Sequence, residues 1–385
     1  SMLTVSAAFD GGNIIVDAID QATAKIDLQV RADNQADFKQ WFYFRLAGGR
    51  DRNCTLALSN AGACSYPKGW EDYAVVASHD RQTWFRVPTD YHKGVLTFRY
   101  TPPVDAVYFA YFTPYSTERH SDLIAGAVAQ PHVHLEIPGQ TLDGRDMEIL
   151  RFGEPAVGRK NLWFIARQHP GETMAEWFME GLVKQLADQH DAVAAGLLAE
   201  AVCYVVPNMN PDGSARGNLR TNAAGANLNR EWRDGSLETA PEVFHIRRRM
   251  AETGVDFCLD VHGDEGLPVN FIAGYEGIPA LGAAHLAVLD DYRQLLATIS
   301  PDFQTERGYP KTSPGRADLR ICTSYLADRF RCLSMTLEMP FKDHQPRPDR
   351  HFGWSPARAQ QLAAAVLNAS YQMHPRFGKF EREET

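Results

Sequence analysis

Two kinds of hydrophobic patterning meet near Tyr115, so the chain cannot fold as one repeated unit. From residue 4 to about 112, apolar and polar residues alternate, as in Ile26/Leu28/Val30 and Leu96/Phe98/Tyr100, between Gly, Asn, Asp and Pro turns. A period of two sends successive side chains to opposite faces of a strand, and this stretch therefore predicts an antiparallel β-sandwich. Aromatic residues crowd it, among them Trp41, Phe42, Tyr43, Phe44, Trp84, Phe85, Tyr108, Phe109, Tyr111 and Phe112. Such a cluster reads first as sandwich core, and second as a platform for carbohydrate or peptide.

After Tyr115-Ser116-Thr117, short apolar runs alternate with segments of helical period. Strands are expected over 161–167, 201–206, 255–261, 270–273 and 332–339. Helices are expected from 172 to about 189 and over 241–253, 283–299 and 316–330. A last helix opens with Ser355 as N-cap and Pro356 at its first position. The expected fold is α/β, a mixed, mainly parallel sheet flanked by helices and preceded by an all-β sandwich. The division falls into 1–118 and 119–385. The tail, 380–385, is charged and expected to fray.

The composition excludes several classes. The 385 residues carry a net charge of −9, which argues against nucleic acid or an anionic membrane as partner. The longest uninterrupted apolar run, 106–112, cannot span a bilayer. The first residues show no charged segment followed by an apolar core, so no export signal is expected, and Ser1 before Met2 reads as a cloning remnant. Six cysteines form no CxxC pair; most read as small buried hydrophobes, and a disulfide would fit only at Cys54 and Cys64.

The chemistry gathers around Gln168-His169-Pro170-Gly171-Glu172. The Pro-Gly pair stops the preceding strand, so His169 stands at a strand mouth. Glu172 is expected in the first turn of a helix, its carboxylate pointing back at His169. Leu259-Asp260-Val261-His262 and Thr336-Leu337-Glu338 likewise place His262 and Glu338 at strand ends, the edge at which open α/β sheets bind ligands. Two histidines and a glutamate form a set that holds catalytic zinc with one position open. Between them lie Asn210-Pro211-Asp212-Gly213, a turn sequence, then Arg220 and Asn229-Arg230. These donors are suited to gripping a carboxylate or polarising a carbonyl.

Taken in order, His169-Pro-Gly-Glu172, Asn210-Pro-Asp-Gly, Arg220, Asn229-Arg230, His262 and Glu338 resemble the M14 zinc carboxypeptidases, most closely the cytosolic carboxypeptidase branch. The resemblance covers essentially the whole chain. It implies one zinc per chain on His169, Glu172 and His262, with Glu338 as general base and Arg220 polarising the scissile carbonyl. Asn229 and Arg230 would clamp the substrate's C-terminal carboxylate. Tyr309 would be the tyrosine that covers bound substrate, with Tyr325 as the alternative. Counting without gaps from Tyr309 sets Arg316 at the base of the side-chain pocket, which implies removal of C-terminal Glu or Asp. Arg320 is the substitute for Arg316, and Asp264 or Glu265 for Glu338. Without the resemblance, Glu338 in its apolar strand would read equally as a buried carboxylate paired with an arginine. The implied substrate is a peptide or protein C-terminus, and the implied compartment is the cytoplasm. One departure stands out: Asn227 occupies a position where the family usually has an Asp that orients a zinc-binding histidine. The rival readings are a zinc deacylase of small N-acyl amino acids and a non-catalytic peptide-binding homologue.

Overall fold

The computed structural model describes residues 2–383, so Ser1 and the last two residues of the tail lie outside it. The first part consists of β1 (Thr4–Ser6), β2 (Ile15–Asp20), β3 (Lys25–Gln29), β4 (Tyr43–Ala47), β5 (Cys54–Leu58), β6 (Val76–Ser78), β7 (Phe85–Arg86), β8 (Thr89–His92), β9 (Val95–Tyr100) and β10 (Ala106–Ala110). They form two five-stranded sheets, β1-β4-β10-β6-β7 and β2-β3-β5-β9-β8. The alternation works as expected: Ile26, Leu28, Leu96 and Phe98 are buried. The pairing is not wholly antiparallel. β3 and β5 run parallel, because the chain leaves their sheet to make β4 in the other and then returns. Phe42, Phe44, Phe98 and Phe109 meet between the sheets with ring centroids 5.2–6.5 Å apart. These rings are core, while Trp84, Phe85 and Tyr108 are only partly buried against it. Cys54 and Cys64 are buried free thiols and form no disulfide.

The second part begins with α1 (Thr117–Val128), capped by the Ser116 side chain. A hairpin follows, β11 (Val133–Gln140) and β12 (Asp146–Phe152), then β13 (Lys160–Ala166), α2 (Met174–Ala187), α3 (Ala192–Leu198) and β14 (Ala201–Val206). The chain continues through α4 (Pro211–Arg216), α5 (Pro241–Thr253), β15 (Phe257–Asp264), β16 (Phe271–Ala273), α6 (Ala283–Ile299), α7 (Cys322–Phe330), β17 (Leu333–Pro340) and α8 (Pro356–Met373). The seven-stranded sheet has the order β11-β12-β14-β13-β15-β17-β16. Its three central pairings are parallel and its outer three antiparallel, so it is mixed with a parallel centre. Both faces are covered, which is why the central strands read as continuous apolar runs. Along β13, Trp163 and Ile165 enter the core under α5 and α7, while Leu162 and Phe164 enter the core under α2 and α8.

Four local expectations are corrected. Glu172 precedes α2 and is not in its first turn, because the chain turns through Thr173 before the helix begins. Asn210-Pro-Asp-Gly opens a helix: the Asn210 side chain accepts from Gly213 N–H at 3.0 Å, and Pro211 supplies the preset first position. Residues 316–321 are not helical. Gly315 and Ala317 bond the Gly277 carbonyl, and Asp318 holds the Arg320 and Ile321 amides, so these groups are spent in turns. The tail is tied down as far as residue 383, through Phe380 N–H on the Arg331 carbonyl and Glu383 N–H on that of Ala280. Among the described residues, no helix is long and apolar enough to cross a membrane.

Candidate metal centre and substrate pocket

Central strands β13, β15 and β17 end at the same edge, and the three motifs meet there. His262 lies within β15, directly opposite Glu338 of β17 in the parallel register. His169 follows β13 by three residues, at the end of a tight turn that starts with Arg167 in the left-handed region (φ +61°). The Arg167 side chain secures that turn through the carbonyls of Pro170 (2.9 Å) and Tyr115 (3.0 Å) and the carboxylate of Glu176 (2.9 Å).

His169, Glu172 and His262 are all buried, and one donor atom from each lies within 4.8 Å of the other two. Nδ1 of His169 is 2.7 Å from Glu172 Oε2, and Nδ1 of His262 is 3.1 Å from Glu172 Oε1. Each imidazole thus turns Nδ1 inward and uses Nε2 elsewhere, His169 on Asn227 Oδ1 at 2.8 Å and His262 on Asp260 Oδ2 at 2.7 Å. An N–H held by an outer acceptor fixes the tautomer that leaves the inner nitrogen as a ligand. Two imidazole nitrogens and a carboxylate fit zinc better than the hard cations, which favour all-oxygen sites. Asn227 therefore makes the hydrogen bond that its position calls for, without the charge.

That difference separates the two histidines electrostatically. Burial, reinforced by the Arg220 charge, depresses His169 to about 4, against the opposing pull of Glu172. His262 is equally buried, but the Asp260 carboxylate outweighs the burial and raises it well above the usual range. Burial alone would raise Glu172, but the histidines prevail and hold its carboxyl below the ordinary range. Glu338 is buried with Oε2 unpartnered. Burial drives its carboxyl well above the carboxylate range; His262 opposes this, while Glu172, Asp264 and Glu265 add to it. Among the described residues no arginine pairs with it, so the structural alternative for a buried glutamate is not what the fold provides.

A cleft of about 550 Å³ opens over this edge. Its walls include Arg220, Asn229, Arg230, Tyr309, Arg316, Asp264 and Glu265, so these candidates line the same cavity as His169, Glu172, His262 and Glu338. Asn229 Oδ1 is held by Cys322 N–H at 3.0 Å and Gln168 Nε2 at 3.3 Å. Arg230 is anchored by its own donation to the Asn229 carbonyl. Tyr309 leaves 47% of its surface exposed, but its ring packs edge-on against Phe271 and its hydroxyl donates to Asp264 Oδ1. Loss of water around that hydroxyl, with Glu338 nearby, keeps the phenol protonated. The two substitutes point elsewhere: Tyr325 packs against Trp232, and Arg320 is paired with Asp318 at 2.8 Å.

Sequence reasoning missed the residues that hold this set in place. Asp260 lies two residues before His262 on the same strand, so period two already puts both on one face; a carboxylate inside an apolar strand was the available signal. Gln168 bridges Asp260 (2.7 Å) and Asn229, and its own carbonyl oxygen Oε1 accepts from Trp232 Nε1 at 2.8 Å. Tyr66 of the sandwich lines the cleft, and no local pattern marked it.

A parallel-centred sheet that presents two histidines and a glutamate at its carboxyl edge has the donor set of a metal-dependent enzyme. The comparisons narrow the class. The cytosolic carboxypeptidase N-terminal domain model matches residues 5–112, and the zinc carboxypeptidase model matches residues 123–262. Cytosolic carboxypeptidase 6 of Caenorhabditis elegans is 25% identical over 88% of this chain and 79% of its own length. A solved protein of Shewanella denitrificans is 49% identical over 98% of this chain and 100% of its own, with a TM-score of 0.96. A metallo-carboxypeptidase from Pseudomonas aeruginosa is 42% identical over 97% and 99%, with a TM-score of 0.93. The chain belongs to the M14 zinc carboxypeptidases, in the cytosolic carboxypeptidase branch, and is a metallocarboxypeptidase.

Proposed function

We propose that the protein removes C-terminal glutamate or aspartate from peptides or proteins in the cytoplasm, with one zinc ion per chain on His169, Glu172 and His262. The observation that carries this reading is Glu338, a buried carboxylate with an unpartnered oxygen, set beside His262 and facing the cleft. The chemistry that a bound zinc supplies is Lewis acidity toward water and the scissile carbonyl. Glu338, its proton affinity raised by burial, accepts the water proton and passes it to the leaving amine. Arg220 donates to the carbonyl oxygen as negative charge develops on it. Asn229 and Arg230 grip the terminal carboxylate, which restricts cleavage to the last residue. Tyr309 covers the bound end.

The acidic preference rests on Arg316 and Lys311, both exposed in the cleft wall. Arg293, by contrast, is already paired with Glu276 at 2.8 Å. The Pseudomonas relative was solved with (2-guanidinoethylmercapto)succinic acid. Its succinic acid carries two carboxylates, the chemistry that Arg230 and Arg316 would meet here; its guanidino group makes a basic terminus the rival arm of the test. Peptides ending in Glu, Phe and Lys, with free or amidated C-termini, are compared by kcat/KM in the wild type and in Arg316→Ala. Free-acid Glu peptides should lead, and that lead should shrink in the variant. Faster Lys or Phe peptides overturn the acidic preference. Turnover of acyl amino acids without peptides points to a deacylase. Chelation should abolish activity and added zinc restore it, with about one zinc per chain in the active protein; a fully active, chelator-resistant enzyme overturns the metal assignment.

A further inference from the structure

The loop between β3 and β4 of the sandwich reaches across to the segment that carries Arg220. Asp33 is only 5% exposed, and one carboxylate takes four hydrogen bonds from three successive residues. Oδ1 accepts from Leu219 N–H at 2.6 Å; Oδ2 accepts from Arg220 N–H, Thr221 N–H and Thr221 Oγ1, each at 2.9 Å. Asn34 grips the two ends of the same segment: its Oδ1 accepts from Asn218 Nδ2 at 2.7 Å, and its Nδ2 donates to the Asn222 and Ala223 carbonyls at 3.2 and 2.9 Å. Two sandwich rings flank the arginine itself, with its guanidinium carbon 5.5 Å from the Phe38 centroid and 5.8 Å from that of Tyr66. The clamped segment also touches the metal turn, since Gly171 N–H donates to the Leu219 carbonyl at 3.0 Å.

From this geometry we infer that Asp33 is a positioning residue, through which the sandwich aims Arg220 at the reacting carbonyl and completes the active site. The inference rests on the assignment of Arg220 made above. An arginine has a long, rotamer-rich side chain, and a donor contributes to a transition state in proportion to how well it is held beforehand. Hydrogen bonds from three consecutive backbone N–H groups and one hydroxyl to a carboxylate fix where that side chain starts, and the aromatic faces limit where it goes. Pocket and sandwich are therefore one functional unit, with the buried Asp33 carboxylate holding the backbone from which Arg220 projects.

The test is a double-mutant cycle on zinc-loaded, full-length protein: Asp33→Asn, Asp33→Ala, Arg220→Ala and the combinations, each read for kcat, KM and zinc content. Arg220→Ala should lower kcat by about 10²–10³-fold, the scale of a lost oxyanion donor. The Asp33 variants should lower kcat by roughly 10–10²-fold, as misplacement does, with KM and zinc little changed. In the Arg220→Ala background the Asp33 change should cost almost nothing further, which a merely structural role would not give. Should Asp33→Ala fail to fold, the isosteric Asn variant carries the same cycle. Unimpaired Asp33 variants beside an impaired Arg220→Ala overturn the inference alone, as do losses that simply multiply. An unimpaired Arg220→Ala overturns the reading of the site, and the inference with it.

Discussion

Glu172, just before α2, and Glu176, in its first turn, are both buried, yet they belong to opposite kinds of charge cluster. On the Glu176 side each carboxylate is paired. Glu176 meets Arg167 at 2.9 Å and His120 at 2.6 Å, and Glu148 takes the other His120 nitrogen at 2.8 Å. Glu180 is forked by Arg119 at 2.8 and 3.0 Å and accepts from the Tyr115 hydroxyl and Gln360. On the Glu172 side, by contrast, Glu338 Oε2, Glu265 Oε1 and Asp260 Oδ1 have no partner. A buried carboxyl left without partners costs stability, and folds retain such groups where the vacant valence is used. On the function proposed above, the paired cluster serves the fold and the unpaired one the reaction.

The sharpest way to break this contrast is Glu338→Gln. Losing the base should lower kcat by about 10²–10⁴-fold. Because Glu338 is a buried carboxyl with an unpartnered oxygen, its replacement should leave the melting temperature unchanged or higher. Kinetics and thermal unfolding of the same preparation test both halves; a near-normal kcat moves the base elsewhere, with Glu265 and Asp264 the neighbours to examine.

The opposite pattern is expected across α2. Arg167→Met keeps the aliphatic bulk but leaves Glu176 without its guanidinium and the Pro170 and Tyr115 carbonyls without their donor. Removing one member of a buried pair should cost about 3–5 kcal/mol of unfolding free energy. Urea titration measures it, and a loss below about 1 kcal/mol would place this cluster with the pocket rather than against it.

The two clusters were also unequally legible. The metal set and Glu338 could be read because each sits where an apolar strand meets a polar residue or a turn, and strand ends of a parallel sheet converge by topology. Asn229, Arg230 and Arg220 could be read only with the family's order of motifs, since irregular backbone has no period. The supporting charges were silent. His120 and Glu176 lie 56 residues apart, and Asp33 lies 186 residues before Leu219, distances at which no local pattern survives. The hairpin of β11 and β12 was missed although Val133, Leu135 and Ile137 alternate with His134 and Glu136; the pattern was present, but Leu135 and Ile137 face solvent, so the alternation does not report a buried face there.

His120 gives the finest comparison, because its effect depends on pH and carries a definite sign. Burial would lower its pKa, but the carboxylates of Glu176 and Glu148 override that and lift it to about 10. A folded-state pKa above the unfolded value of 6.5 means that protonation favours the fold. The contribution is complete below about pH 6.5 and is lost as pH rises through about 10, leaving Glu176 to Arg167 alone. Wild-type stability should therefore fall by roughly 2–4 kcal/mol between pH 6.5 and 10 from this group, an amount bounded by the shift at 1.36 kcal/mol per unit. His120→Gln keeps a hydrogen-bonding side chain but cannot titrate, so its stability should be lower at pH 6.5 and nearly flat over the same range. Urea unfolding of both proteins at several pH values in that window compares the slopes. Parallel curves would mean that His120 is held neutral, and the paired cluster would then hold a surplus of negative charge much like the pocket it is contrasted with.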